Sequence, residues 1–206
     1  MPIEEELFEA VAAGDSARVK AALQAGADPN ALDDGGHSPL FWASFAGRRA
    51  LARILTEKGA RVDAERPQDG STSVHAASAR GDVDLLDMLM KVGGSAVLER
   101  FDDLDRTPLM KAVESGAIET VQTLLSAGAK VDTYNEPRIG ETALHHAVRE
   151  GKIELVRILL NAGANPRIEG WMRQTPLDLA LSLKPHGHRQ IIVLLENDLR
   201  RRASGG

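Results

Sequence analysis

The sequence contains no cysteine, which removes disulfides, zinc–thiolate sites and cysteine nucleophiles from consideration. A chain without thiols fits a reducing compartment, and the cytoplasm is the expected location. Aromatic residues make up only 3% of the chain, so any core has to be built from Leu, Val, Ile and Ala. That favours helices over a sandwich of aromatic and β-branched strands. No window holds the continuous apolar run that a membrane span needs. The acidic opening MPIEEELFEA lacks the apolar segment of a secretory signal. Positive charge is not in excess either. A formal net charge of −5 argues against a nucleic-acid binder, whose phosphate contacts require a basic face. G-x-S-x-G, a phosphate-cradling glycine loop and H-E-x-x-H are missing as well.

What the chain does have is repetition. The segments HSPLFWASFAG, STSVHAASARG, RTPLMKAVESG, ETALHHAVREG and QTPLDLALSLK share a Thr/Ser-x-apolar pattern. Their second residues are Ser38, Thr72, Thr107, Thr142 and Thr175, at intervals of 34, 35, 35 and 33. Gly14, Gly47, Gly81, Gly116 and Gly151 keep the same period, as do Gly26, Gly59, Gly93, Gly128 and Gly163. Three marks in one period define a repeat array.

Each unit reads as two short helices. Thr or Ser caps the first helix by accepting a backbone N–H. Pro39, Pro108 and Pro176 follow at the first helical position, where a missing N–H costs nothing. The first glycine ends that helix in a left-handed conformation. The second helix carries an apolar stripe, as in IELVRILLNAG. One unit cannot bury its own apolar side, but stacked units can. The spacing predicts that Leu40, Val74, Leu109, Leu144 and Leu177 lie above one another in a continuous core.

The segments TALHHA, TPLMKA, SPLFWA, TSVHAA and TPLDLA, with AGADPN and AGANPR between units, resemble the ankyrin-repeat family. Its repeat is about 33 residues with a T-P-L-H-x-A signature. The resemblance covers residues 5 to 199. It implies an all-α solenoid of stacked antiparallel helix pairs joined by β-hairpin fingers. One domain is expected over 1–206, with a cap repeat at 5–36, repeats at 37–70, 71–105, 106–140 and 141–173, a cap at 174–199 and a tail at 200–206. Asp105 and Arg173 replace the glycine of Gly36, Gly70 and Gly140 before the cap, so the turn ahead of Thr175 is the least regular.

By the same resemblance His75 and His145 brace neighbouring fingers. His146 falls where other units have Trp42, Ala76, Lys111 and Leu179, which excludes a ligand position shared by the repeats. His186 and His188 have chelate spacing, but no carboxylate accompanies them at a metal-ligand interval. A metal-dependent enzyme built on them is the rival from another class. No catalytic residue, metal or cofactor is expected.

The resemblance places partner contacts on the fingers and the exposed side of the first helices. The candidate residues are Asp34, His37, Phe45, Asp69, Arg80, Asp103, Leu104, Arg106, Tyr134, Arg138, Ile139, Arg149, Glu150, Trp171 and Met172. Glu65, Gln68, Ser71, Glu99, Glu114, Glu141, Glu169 and Gln174 lie on the same face. Nine of these residues are acidic and four basic, which favours a protein partner with a basic patch. The sole Tyr and one of two Trp belong to the set, as expected of contact hot spots. The expected protein is a non-enzymatic interaction module, monomeric when free. It would regulate a partner by occlusion, as inhibitors and immunity-type proteins do; the alternative is a scaffold or adaptor that tethers.

Overall fold

A computed structural model describes residues 2–63, 70–135, 140–183 and 188–204. Six helix pairs follow one another along the chain. They are α1 (Ile3–Ala13) with α2 (Ser16–Gln24), α3 (Pro39–Phe45) with α4 (Arg49–Glu57), and α5 (Ser73–Arg80) with α6 (Val83–Lys91). The series continues with α7 (Pro108–Ser115) and α8 (Ile118–Ser126), α9 (Ala143–Arg149) and α10 (Ile153–Asn161), and α11 (Pro176–Ser182) and α12 (Arg189–Ser204). The odd-numbered helices pack in sequence to form an inner layer, and the even-numbered ones form an outer layer.

Local chemistry sets these elements. Ser38 Oγ accepts the N–H of Phe41 at 3.0 Å, and Thr72 and Thr107 Oγ1 accept those of His75 and Met110 at 3.3 Å. Between the layers Leu40, Val74, Leu109 and Leu144 are buried, as the repeat spacing predicts. Leu177 is only half-buried. Helix α12 runs past position 199 to Ser204. Arg201 and Arg202 both grip the buried Asp198, and Arg202 also donates to Ala164 O at 2.8 Å, which holds this last turn down.

Among the described residues no strand forms, so the expected β-hairpins are present only as tight turns. One backbone bond closes each: Asp33 N–H to His37 O at 3.1 Å, Asp102 N–H to Arg106 O at 2.9 Å, and Gly170 N–H to Gln174 O at 2.8 Å. Neighbouring fingers join through side chains instead of a ladder. Asn30, Glu99 and Asp132 accept the backbone N–H of Arg61, Lys130 and Asn165 in the following units. The turn glycine matters most at Gly70 (φ 57°), where a Cβ would lie 1.3 Å from Phe101 O. Asp105 and Arg173 adopt the same left-handed conformation at φ 58° without being glycine. Met172, also in the turn ahead of Thr175, is a third such residue.

Candidate partner-binding face

The signature-histidine position is filled in four ways across the five units. His75 Nδ1 accepts the Thr72 N–H at 3.1 Å, so Nε2 carries the proton and faces Arg100 O and Arg106 O, each at 3.1 Å. His145 repeats this with Thr142 N–H at 3.2 Å and Gln174 O at 3.2 Å. Both rings are buried and tie one first helix to the next finger. Burial pushes His75 down to about 4 against the opposing pull of Asp102, and it lowers His145 as well. At neutral pH both are neutral braces. Met110 and Asp178 occupy the same position, with Sδ and a carboxylate as acceptors for the cap N–H. Phe41 has no polar atom to offer and stacks on His37 instead, with ring centroids 4.3 Å apart.

That substitution begins an aromatic cluster. Phe41 meets Trp42 edge-on at 5.4 Å, Trp42 meets Phe45 edge-on at 5.8 Å, and Phe41 stacks over Phe45 at 6.0 Å. Phe41 is buried, while Trp42 is 37% and Phe45 57% exposed. Trp42 Nε1 donates to Asp33 Oδ2 at 2.7 Å, which fixes the indole. Burial raises the Asp33 carboxyl, but the His37 N–H and the Trp42 bond outweigh it and hold it below its usual value. Beside Trp42, a cleft between α1 and α3 is lined by Phe8, Val11, Ala12, Asp33, Ala46 and Arg48. Sequence reasoning selected Phe45 and His37 but passed over Trp42 and Phe8. The signal was available: four rings of a ring-poor chain lie within Phe8 and the segment HSPLFWASF.

Further along the same face the chemistry is ionic. Arg106 donates to Glu114 Oε2 at 2.9 Å and to Asp102 Oδ2 at 3.3 Å, and Lys111 lies 3.3 Å from Asp102. His146 Nδ1 lies 3.0 Å from Glu114 Oε1, across the junction of two units. Arg149 forks onto both oxygens of Glu141, one bond measuring 2.7 Å. Burial pushes Asp102 up, but the Arg106 N–H and the charges of Arg106 and Lys111 more than offset it. Glu114 is likewise held below its usual value against burial, by its bond to His146 and the nearby cations. The Glu141 bond raises Arg149 further.

A third pattern runs along the stack. At each junction a side chain from the following unit donates to a carbonyl at the end of the preceding first helix. Arg48 takes Val11 O, Arg80 takes Phe45 O at 3.1 Å, and Ser115 takes Ser78 O at 3.4 Å. Lys152 takes Val113 O at 2.9 Å together with Glu114 O, and His188 Nε2 meets Val148 O at 2.9 Å. Val11, Ser78, Val113 and Val148 O each also accept the N–H of the glycine that ends the helix, so the side chain adds a second bond to the carbonyl, and a cation there complements the helix dipole. Arg80, although exposed, thus sets its guanidinium on Phe45 O, and His188 lies against a helix-end carbonyl. His186 lies outside the described residues.

The remaining candidates divide by exposure. Asp34, Asp103 and Glu150 are exposed, and Leu104 is 58% exposed at a finger tip. Trp171 and Met172 are 61% and 67% exposed in the turn ahead of Thr175, far along the chain from Phe45. Tyr134 is half-buried in a finger cleft with Phe101 and Glu99. Asp69, Arg138 and Ile139 lie outside the described residues. Among the described candidates, an aromatic set gathers around α3, an ionic set around α7 and α9, and exposed apolar groups stand in the finger turns.

The ankyrin-repeat family description matches in three copies, over residues 7–97, 64–135 and 109–201. The chain belongs to the ankyrin-repeat family, whose repeats are a general protein–protein interaction module. Among solved structures it is similar to the ankyrin repeat domain of Bcl-3, a member of the IkappaB family. That match has a TM-score of 0.80 and 26% identity, and it covers 94% of this chain and 85% of that one. The ankyrin repeat domain of human ASB11 matches with a TM-score of 0.77 and 29% identity, covering 92% and 81%. By sequence, the inactive serine/threonine-protein kinase TEX14 of Bos taurus is 34% identical over 114 residues, which is 55% of this chain. The match spans only 7% of that relative's length. Among the described residues no helix is long and apolar enough to cross a membrane.

Proposed function

We propose that this chain is a non-enzymatic binding module that holds a protein partner against its finger and first-helix face and regulates that partner by occlusion. The observation that carries this reading is the exposed, preorganised aromatic cluster on α3. Phe45 is 57% exposed in a chain with very few rings, while its neighbours are locked by stacking and by the Trp42–Asp33 bond. Rigid exposed rings supply contact area at low entropic cost. The acidic excess of the face supports a partner that presents a basic patch.

The test is substitution. Changing Phe45, Tyr134 and Trp171 to Ala should abolish partner capture from an extract of the native cells and leave the far-ultraviolet circular dichroism unchanged. Undiminished capture by the triple variant would overturn the reading. Occlusion is checked separately: the captured partner's own activity should fall in proportion to bound chain, whereas a tether would leave it unchanged.

A further inference from the structure

We infer that the cleft between α1 and α3 anchors a partner segment that inserts one bulky apolar side chain and sets a lysine or arginine beside it. This rests on the partner-binding reading above and names the chemistry of the partner at one place on that face.

The cleft walls are apolar: Phe8, Val11 and Ala12 from α1 face Trp42 and Ala46 from α3, around a volume of about 400 Å³. That volume suits a side chain of leucine to aromatic size, and burying it would remove apolar surface from water on both sides. Only two charged side chains reach the lining. Arg48 is already committed to Val11 O. Asp33 holds the indole through Oδ2 and accepts the His37 N–H through Oδ1, which leaves its negative charge at the lining.

Helix α1 opens with Glu4, Glu5 and Glu6, and Glu5 and Glu9 are exposed one turn apart on its surface. Arg18 reaches only Glu9. An apolar cleft walled by an acidic helix is complementary to an apolar anchor flanked by a cation, which would also stack on the exposed faces of Trp42 and Phe45. A second copy of this chain would bring the same acidic helix against itself.

The experiment is selection of short random peptides displayed on phage against the full chain. Binding of the enriched synthetic peptides is then followed by Trp42 fluorescence in a Trp171→Phe background. The enriched sequences should pair Leu, Phe or Trp with Lys or Arg, and their affinity should fall as salt rises. Ala46→Arg fills the cleft from an exposed position and should weaken binding by about tenfold or more, as should Phe45→Ala. Glu150→Ala, at the ionic end, should stay within about twofold. Circular dichroism of each variant controls for folding. No enrichment, or enrichment of acidic peptides, overturns the inference. Binding sensitive to Arg149→Ala and Glu150→Ala but not to Ala46→Arg also overturns it, while leaving the wider face reading standing. Partner capture indifferent to all of these variants removes both. Concentration-dependent dimerisation blocked by Ala46→Arg assigns the cleft to a second copy and overturns the inference.

Discussion

Trp42, Phe45 and Ala46 on α3 occupy the same repeat positions as His146, Arg149 and Glu150 on α9. The backbone presents both sets identically, one helical turn above a buried Leu40 or Leu144. Yet one end of the face is a ring cluster with a cleft, and the other is a chain of ion pairs running from Asp102 to Glu141. The repeat thus fixes where a side chain stands but not what it does there. At the ionic end the charges satisfy one another, so little is left for a partner. At the aromatic end the rings have satisfied each other only edge to face, and their outer surfaces remain exposed. The proposed recognition therefore centres on α3.

The comparison can be broken at two equivalent carboxylates. Asp33 and Asp102 each close a finger turn, accepting the N–H of His37 and Arg106 respectively. Asp102 is buried with two cations, so Asp102→Ala should cost about 3 kcal/mol by removing the Lys111 pair and leaving Arg106 with Glu114 alone. Asp33 is half-exposed, and Asp33→Ala should cost nearer about 1 kcal/mol. Urea unfolding of the two variants checks the order, and equal costs would show that burial does not separate the two ends.

Acid should act on the braces next. His75 titrates near 4 in the fold against an ordinary 6.5, so between those values the unfolded chain binds more protons. Stability then falls as the pH drops from about 6.5 to about 4, by up to about 3 kcal/mol, with His145 acting in the same direction. Asp102 and Glu114 are held below their usual values. Their contribution is therefore present above the unfolded carboxylate range and is lost only at still lower pH. Urea midpoints measured against pH should slope across the histidine window, and His75→Gln should flatten that slope.

Smaller effects sharpen the contrast further. Arg149→Ala removes a fork onto Glu141 at a partly exposed site and should cost about 1 kcal/mol or less. Phe45→Ala should change stability by less than about 0.5 kcal/mol, because the ring is mostly exposed. Thermal unfolding reads both. Partner capture should respond in the opposite order, with Phe45→Ala abolishing it and Arg149→Ala leaving it largely intact.

Much of the scaffold was legible in the sequence because period, cap and glycine each have a local cause. Thr142 caps and Leu144 enters the core for reasons contained within their own unit and its copies. The candidate site was legible only in part. Exposed positions such as Phe45, Leu104 and Trp171 follow from repeat register alone. Whether a charge on that face is available depends on a residue one unit away, which register does not reveal. Arg80 is the plainest instance: it stands at a contact position, yet its guanidinium lies against Gly47 and bonds Phe45 O. The clustering of rings pointed to Trp42, but its partner was hidden for the converse reason. A position that accepts Ala, Lys and Leu elsewhere gives no hint that Asp33 will fix an indole there.

The sequence by itself determined that this chain is a stack of helix pairs, how many pairs there are, and which residues cap and end the first helices. These depend on contacts within a few residues or on one repeated register, and both are written along the chain. Only the tertiary structure decided which charged residues neutralise one another, which caps come from the following unit, and where the scarce rings converge. Those outcomes depend on side chains some 30 to 40 residues apart, as with Arg48 and Val11 or Lys152 and Val113. Stacking brings them within bonding distance, and no local signal along the chain encodes that meeting.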